Sequence, residues 1–229
     1  MVKYAICFFK SGMIRYTSHL DMLRLFKRAF RRAGIEIRYS QGFNPHPKMG
    51  FAQPLSLGYL ADGEYLEFET ESPVSSKLLK EDLQEDLPEG VGIRAAMRIK
   101  DGQKSMAASV QSAEYTVDYP IPYDSVRADA IVLGYLSQPV ILAMKRQKKT
   151  KQLKEVDIKS KIRGIKAEKN EAGGLRLILD LDCGSASNLS PELVIQSFGK
   201  YASINCERYE LTVCRRKLVL PLDYKVIPL

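Results

Sequence analysis

Lys3-Tyr4-Ala5-Ile6-Cys7-Phe8-Phe9-Lys10 opens the chain, and its alternation decides what kind of sheet the protein builds. Tyr4, Ile6 and Phe8 share one face while Ala5, Cys7 and Phe9 share the other, so both faces are apolar. A strand of that kind belongs in the middle of a sheet with cover on both sides. Ser11-Gly12 ends it. Ser18 then stands as an N-cap with Asp21 three residues on, a capping box in which Asp replaces the usual Glu. Met22, Leu23, Phe26, Phe30 and Ala33 follow at helical spacing as a buried stripe. Gly34 is the expected stop after the helix, and residues 35–39 read as a second strand.

Outward from this start the elements continue in a recognisable order. Residues 64–70 alternate with Leu66 and Phe68 pointing inward. Residues 75–87 read as a second helix with Leu78, Leu79 and Leu83 inside and an acidic face outside, and residues 91–99 as a strand. The order β-α-β-β-α-β is that of a ferredoxin-like split βαβ unit. Residues 101–112 are small, polar and aperiodic, which predicts a linker. The pattern then restarts with a strand at 115–119, a helix at 125–136 and a strand at 140–145. A strand at 175–181, a helix at 191–201 and a strand at 207–215 follow. The expectation is an α+β protein of two tandem ferredoxin-like (βαββαβ) units, 1–100 and 113–229, the second interrupted by an insertion at 146–174.

The composition suits a soluble globular chain of 229 residues, with 45% hydrophobic and 27% charged residues. A net charge of +8 favours an anionic partner, nucleic acid before acidic protein or membrane surface. Cys7, Cys183, Cys206 and Cys214 form no Cys-x-x-Cys, so zinc and iron–sulfur spacings are absent. No cofactor and no metal site are expected. No phosphate loop, dinucleotide fingerprint, His-Glu-x-x-His or nucleophile elbow is present, which excludes the ATPase, dehydrogenase, zinc-hydrolase and serine-hydrolase classes as these motifs define them. The first residues read as a strand without a cleavage site, and the most apolar region, 128–144, is broken by Asp129, Gln138 and Pro139. A cytoplasmic protein without membrane contact is expected.

Residues 38–58 concentrate the unusual chemistry. Gly42 permits a tight bend, and Pro45 and Pro47 hold Asn44 and His46 in extended geometry. His46 thus sits between two rigid rings beside Phe43, Asn44 and Lys48. The segment is either an ordered loop whose histidine is a polar cap, or a loop that faces a ligand. The chain has two histidines, His19 in the first turn of helix 1 and His46 after strand 2. Two imidazoles can act as base and acid near neutral pH, although the topology places these two at opposite ends of the sheet unless the long loop folds back. Helix 1 carries Arg24, Lys27, Arg28, Arg31 and Arg32 against one acid, Asp21. Such uncompensated charge predicts a polyanion contact. Lys145, Arg146, Lys148, Lys149, Lys151 and Lys154 form a second acid-free cluster, suited to phosphate without sequence reading or simply to solvation.

The segments Arg15-Tyr16-Thr17-Ser18-His19-Leu20-Asp21, Arg28-Ala29-Phe30-Arg31-Arg32-Ala33-Gly34, Tyr39-Ser40-Gln41-Gly42-Phe43-Asn44-Pro45-His46-Pro47-Lys48 and Ala52-x-Pro54-Leu55-Ser56-x-Gly58 resemble an uncharacterised bacterial family. Its members are encoded beside, or fused behind, radical-SAM proteins. The resemblance implies a radical-SAM-associated role; without a three-cysteine cluster motif, this chain would be the partner. Architecturally, tandem ferredoxin-like units with a basic surface are also similar to the CRISPR repeat-processing endoribonucleases of the RAMP type. These cut RNA without metal, often with a histidine near the first helix, as at His19. Their C-terminal glycine-rich loop has no counterpart in Arg215-Arg216-Lys217-Leu218.

The expected function is therefore an RNA-binding accessory of a radical-SAM enzyme, itself a non-catalytic partner. Arg24, Lys27, Arg28, Arg31, Lys148, Lys149 and Lys151 would hold phosphate. Phe43 would stack on a base, with Asn44, His46 and Lys48 gripping the bound group. A metal-independent endoribonuclease using His19 or His46, a protein-interaction module for the radical-SAM partner, and a binder of a small phosphorylated or carboxylated substrate are the alternatives.

Overall fold

The computed structural model describes residues 1–147 and 150–229. They divide into two compact units, Met1–Val110 with Lys217–Leu229, and Gln111–Arg216. Each combines helices with antiparallel strands, so the chain is α+β.

In the first unit, β1 (Val2–Lys10) pairs antiparallel with β3 (Leu60–Thr70) on one side and β4 (Val91–Ile99) on the other. β2 (Met49–Phe51) adds to β3, and β11 (Val226–Pro228) to β4. β1 is central, as its composition predicts, but the double cover is incomplete. Tyr4, Ile6 and Phe8 are fully buried, whereas Cys7 and Phe9 on the opposite face are half-buried. That second face is covered by side chains such as Arg94, whose guanidinium lies over Phe9 at 5.1 Å from the ring centre.

The buried face of β1 lies under α1 (His19–Arg32), which supplies Met22, Phe26, Ala29 and Phe30. Ser18 Oγ accepts the Asp21 backbone N–H and donates to the Asp21 carboxylate at 2.7 Å, so the shortened capping box is built from the two side chains themselves. Gly34, at φ +71°, closes the helix. The second helix is irregular: a π turn at Leu78–Asp82 leads into α2 (Leu83–Glu85), burying Leu79 and Leu83.

Residues 35–39 differ from expectation. They make only isolated bridges, Ile37 with Thr70 and Tyr39 with Pro47. The strand beside β3 comes instead from Met49–Phe51, inside the predicted loop. The proline-flanked segment thus contributes both an excursion and a strand. The predicted linker also differs. Ser105 caps the short α3 (Met106–Ser109), Met106 is fully buried, and its backbone N–H donates to Glu67 at 2.7 Å. Residues 217–229, expected in the second unit, belong to the first.

In the second unit, β5 (Ser112–Pro122) pairs antiparallel with β9 (Gly174–Asp182), and β9 with β8 (Ile162–Lys169). β10 (Thr212–Val219), which starts in this unit, lies on the other side of β5. α4 (Ser125–Ser137) and α5 (Pro191–Ala202) contribute Val132, Tyr135, Val194 and Phe198 to the interior. The predicted strand at 140–145 is real but sits outside this sheet, as β6 (Leu142–Arg146) in a separate hairpin with β7 (Leu153–Asp157). The sheet position is filled by β8, from within the predicted insertion. The reason is visible in the residues: Leu142, Met144 and Leu153 remain exposed, while Leu175, Leu177, Leu179 and Leu181 of β9 are buried.

Candidate functional site

The excursion between strands in the first unit is a hairpin. Lys48 N–H donates to Arg38 O, Ser40 N–H to His46 O, and His46 N–H returns to Ser40 Oγ at 3.0 Å. Gly42, at φ +128°, makes the bend at its tip, a conformation that side-chain-bearing residues avoid. Phe43 is wholly exposed at 111%, and Asn44 and His46 are exposed beside it. An aromatic ring left entirely in water makes no packing contribution to the unit that carries it, in contrast to Phe8, Phe26, Phe30 and Phe68.

The base of this hairpin meets α1. Lys27 Nζ lies 5.6 Å from the centre of the Tyr39 ring, a cation–π contact. Between them runs a groove of about 530 Å³, lined by Lys27, Arg31, Glu36, Ile37, Tyr39 and Pro47 among others. The cationic face of the helix is smaller than its sequence predicts. Arg24 is paired with Asp21 at 2.8 Å, and Arg32 with Asp86, just past the second helix, at 2.5 Å. Lys27, Arg28 and Arg31 remain exposed, and among the described residues none of the three has a carboxylate within ion-pair distance. Lys48 is likewise committed, to Glu69 at 3.2 Å, a carboxylate it shares with Arg38. The structure therefore brings Lys27 and Arg31 to the base of the hairpin that carries Phe43, Asn44 and His46 at its tip, and takes Lys48 and Arg24 into local ion pairs.

His19 is elsewhere. Its ring packs edge-on to Phe51, with centres 5.2 Å apart, in a recess of about 20 Å³ lined also by Lys10, Gln53, Leu55 and Glu64. His46 lies outside the residues that line this recess. Lys10 and Glu64 are the unexpected members, only 4% and 2% exposed. Lys10 Nζ donates to the carbonyls of Arg15 (3.2 Å) and Thr17 (2.9 Å), which ties the turn before α1 to the end of β1. Burial pushes the Lys10 ammonium below its ordinary range, and the neighbouring Glu64 charge opposes that. Burial likewise lowers His19, which favours the neutral imidazole. The signal for both residues is parity: Lys10 continues the buried series Tyr4, Ile6, Phe8, and Glu64 begins the series Leu66, Phe68. A charged residue on the core-facing side of a strand needs either a partner or a task.

The second unit holds the other predicted basic cluster. Lys145 stands directly opposite Lys154 in the β6–β7 hairpin, and Arg146 Nε donates to Lys151 O. Lys151 is exposed and adopts a left-handed conformation at φ +60°. Lys148 and Lys149, also predicted to bind phosphate, lie outside the described residues. Among the described residues, no three His, Cys, Asp or Glu side chains gather where a metal ion could be held, and no helix is long and apolar enough to cross a membrane.

No curated protein matches the chain in sequence. A family profile described as "Uncharacterized protein conserved in bacteria (DUF2344)" matches residues 3–191, which takes in the whole excursion, α1, the recess and most of the second unit. The chain belongs to that bacterial family.

Proposed function

We propose that this protein binds single-stranded RNA through the groove between α1 and the Tyr39–Pro47 hairpin, as an accessory of a radical-SAM enzyme. The observation that carries the reading is the exposed Phe43 hairpin standing on a groove walled by Lys27 and Arg31, cations with no acidic partner among the described residues. Positive charge that follows a backbone, combined with an aromatic ring free to stack, is the recurring recipe for unpaired nucleic acid. Asn44 and His46 add donors and acceptors for base edges at the same tip. Glu36 on the groove wall disfavours a second phosphate there and sets the path of the chain toward Lys27 and Arg28.

The architecture supports the same reading. The first unit runs β4-β1-β3-β2 and the second β10-β5-β9-β8. Both follow the strand order of a ferredoxin-like βαββαβ unit, and we take the chain as a tandem pair of such units, the second carrying an extra hairpin. The radical-SAM partner rests on the motif resemblance of residues 39–48 and on the lack of a cluster-binding cysteine motif in this chain.

Fluorescence anisotropy with a labelled 12-nucleotide single-stranded RNA tests the reading. Binding that weakens with salt and is lost in a Lys27→Gln/Arg28→Gln/Arg31→Gln variant is the expected result. Absence of binding at low salt, or binding untouched by the triple variant, overturns it.

A further inference from the structure

The recess at the start of α1 takes no part in the groove, yet it holds what a hydroxyl group needs. An ammonium has three N–H donors, and Lys10 spends two, on the carbonyls of Arg15 and Thr17. Neither ring nitrogen of His19 is engaged in a hydrogen bond among the described residues, although the imidazole is packed against Phe51. A spare donor and a spare acceptor thus line one small cavity, whose remaining walls are Phe8, Met22, Phe51 and Leu55 with the polar Gln53 and Glu64. Its volume of about 20 Å³ admits one oxygen-sized group and no more. A phosphate is too large to enter, and a methyl group would leave both polar partners unmet.

We propose that this recess seats a ribose 2′-hydroxyl, accepting a hydrogen bond from Lys10 Nζ and donating one to a ring nitrogen of His19. This rests on the RNA reading above. It adds a site that reads the sugar where the groove reads charge and stacking. The 2′-hydroxyl is donor and acceptor at once, which is the feature that distinguishes RNA from DNA. α1 supplies the connection between the two places. Its 14 residues span about 21 Å, with Leu20, Arg24, Lys27 and Arg31 in one row from the recess to the groove, so a strand held at Arg31 and followed along the helix arrives at His19. Glu64 beside Lys10 opposes the burial that pushes the ammonium below its ordinary range.

The test compares three labelled 12-mers of one sequence: oligouridine RNA, its 2′-O-methyl form and oligodeoxyuridine. The intact protein is expected to bind RNA about tenfold more tightly than either of the others. The 2′-O-methyl strand separates the hydroxyl from sugar pucker, because it keeps the RNA pucker and lacks the donor. His19→Phe, at a half-exposed position where an aromatic ring still packs on Phe51, is expected to bring the ratio close to one while leaving the salt dependence unchanged. Lys10→Met should do the same, and circular dichroism establishes whether that variant is folded. Equal binding of RNA and DNA by the intact protein overturns the recess assignment and leaves the groove standing. So does an RNA preference that survives in folded His19→Phe. Failure to bind any of the strands overturns both.

Discussion

The two ends of α1 handle positive charge in opposite ways. Toward its C-terminus, Lys27, Arg28 and Arg31 stand in water beside an aromatic hairpin. At its N-terminus, Lys10 is sealed beneath the turn that starts the helix, with Glu64 close by and two carbonyls as partners. Solvated charge costs the fold little, acts at a distance and is screened by salt. Sealed charge costs desolvation, acts only on what enters its cavity and is insensitive to salt. The difference teaches that the number of cations on a helix says less than their surroundings. In the proposed reading the open end supplies affinity, and the closed end supplies discrimination.

The largest effect that would break this comparison is on the closed end. Lys10→Met strips the Arg15 and Thr17 carbonyls of their donor and removes a positive charge beside buried Glu64, which should cost about 3 kcal/mol of stability. For a chain of this size that is a fall in Tm of roughly 10 °C by calorimetry. An unchanged Tm would show that the buried ammonium is not a structural tie. At the open end, the triple Lys27, Arg28, Arg31 to Gln variant should weaken RNA binding about 100-fold at low salt with no loss of Tm, as expected for three exposed phosphate contacts.

Phe43→Ala comes next. Loss of one stacking platform should cost about tenfold in RNA affinity, and thermal stability should not move, because the ring buries nothing. A drop in Tm with affinity intact would make the ring a packing element instead. The closed end also carries a pH signature. His19 has its proton affinity lowered on folding from an ordinary 6.5, so the unfolded chain binds the extra proton more readily. Stability therefore declines as pH falls below about 6.5 and levels off below the folded-state value. His19→Phe should flatten that part of a denaturation-versus-pH curve, and an unaltered curve would place the acid sensitivity elsewhere. The smallest effect belongs to the second unit's hairpin. Lys151 sits at φ +60°, where glycine is relieved of about 1 kcal/mol. Lys151→Gly should raise stability slightly and change RNA affinity less than about twofold, since one exposed cation contributes little. A large loss of binding would move the interface from α1 to that hairpin.

Much of this arrangement is legible in the residues. The central place of β1, the apolar stripe of α1, its Ser18 cap and its Gly34 stop all follow from local pattern, because each is set by neighbours within a few positions. The bend at Gly42 is legible for the same reason, although the hairpin that it turns is not. Pairings over long separations are not. Nothing local distinguishes residues 35–39, which form two bridges, from Met49–Phe51, which pair with β3. Nor does periodicity reveal that β6 leaves the second sheet and β8 enters it. The ion pairs of Arg32 with Asp86 and Lys48 with Glu69 were hidden for the same physical reason, since the acids come from distant elements. Lys10 and Glu64, by contrast, could have been found: each is a charged residue on the core-facing parity of an otherwise apolar strand.

The central claim is that the open end of α1 meets RNA phosphates. Anisotropy of the labelled 12-nucleotide RNA across a potassium chloride series tests it most directly. The account predicts that the logarithm of the binding constant falls against the logarithm of salt with a slope near −2, from about three contacts at roughly 0.7 each, and that the triple variant reduces the slope nearly to zero. A salt-independent isotherm, or one whose slope is the same in the triple variant, would contradict it.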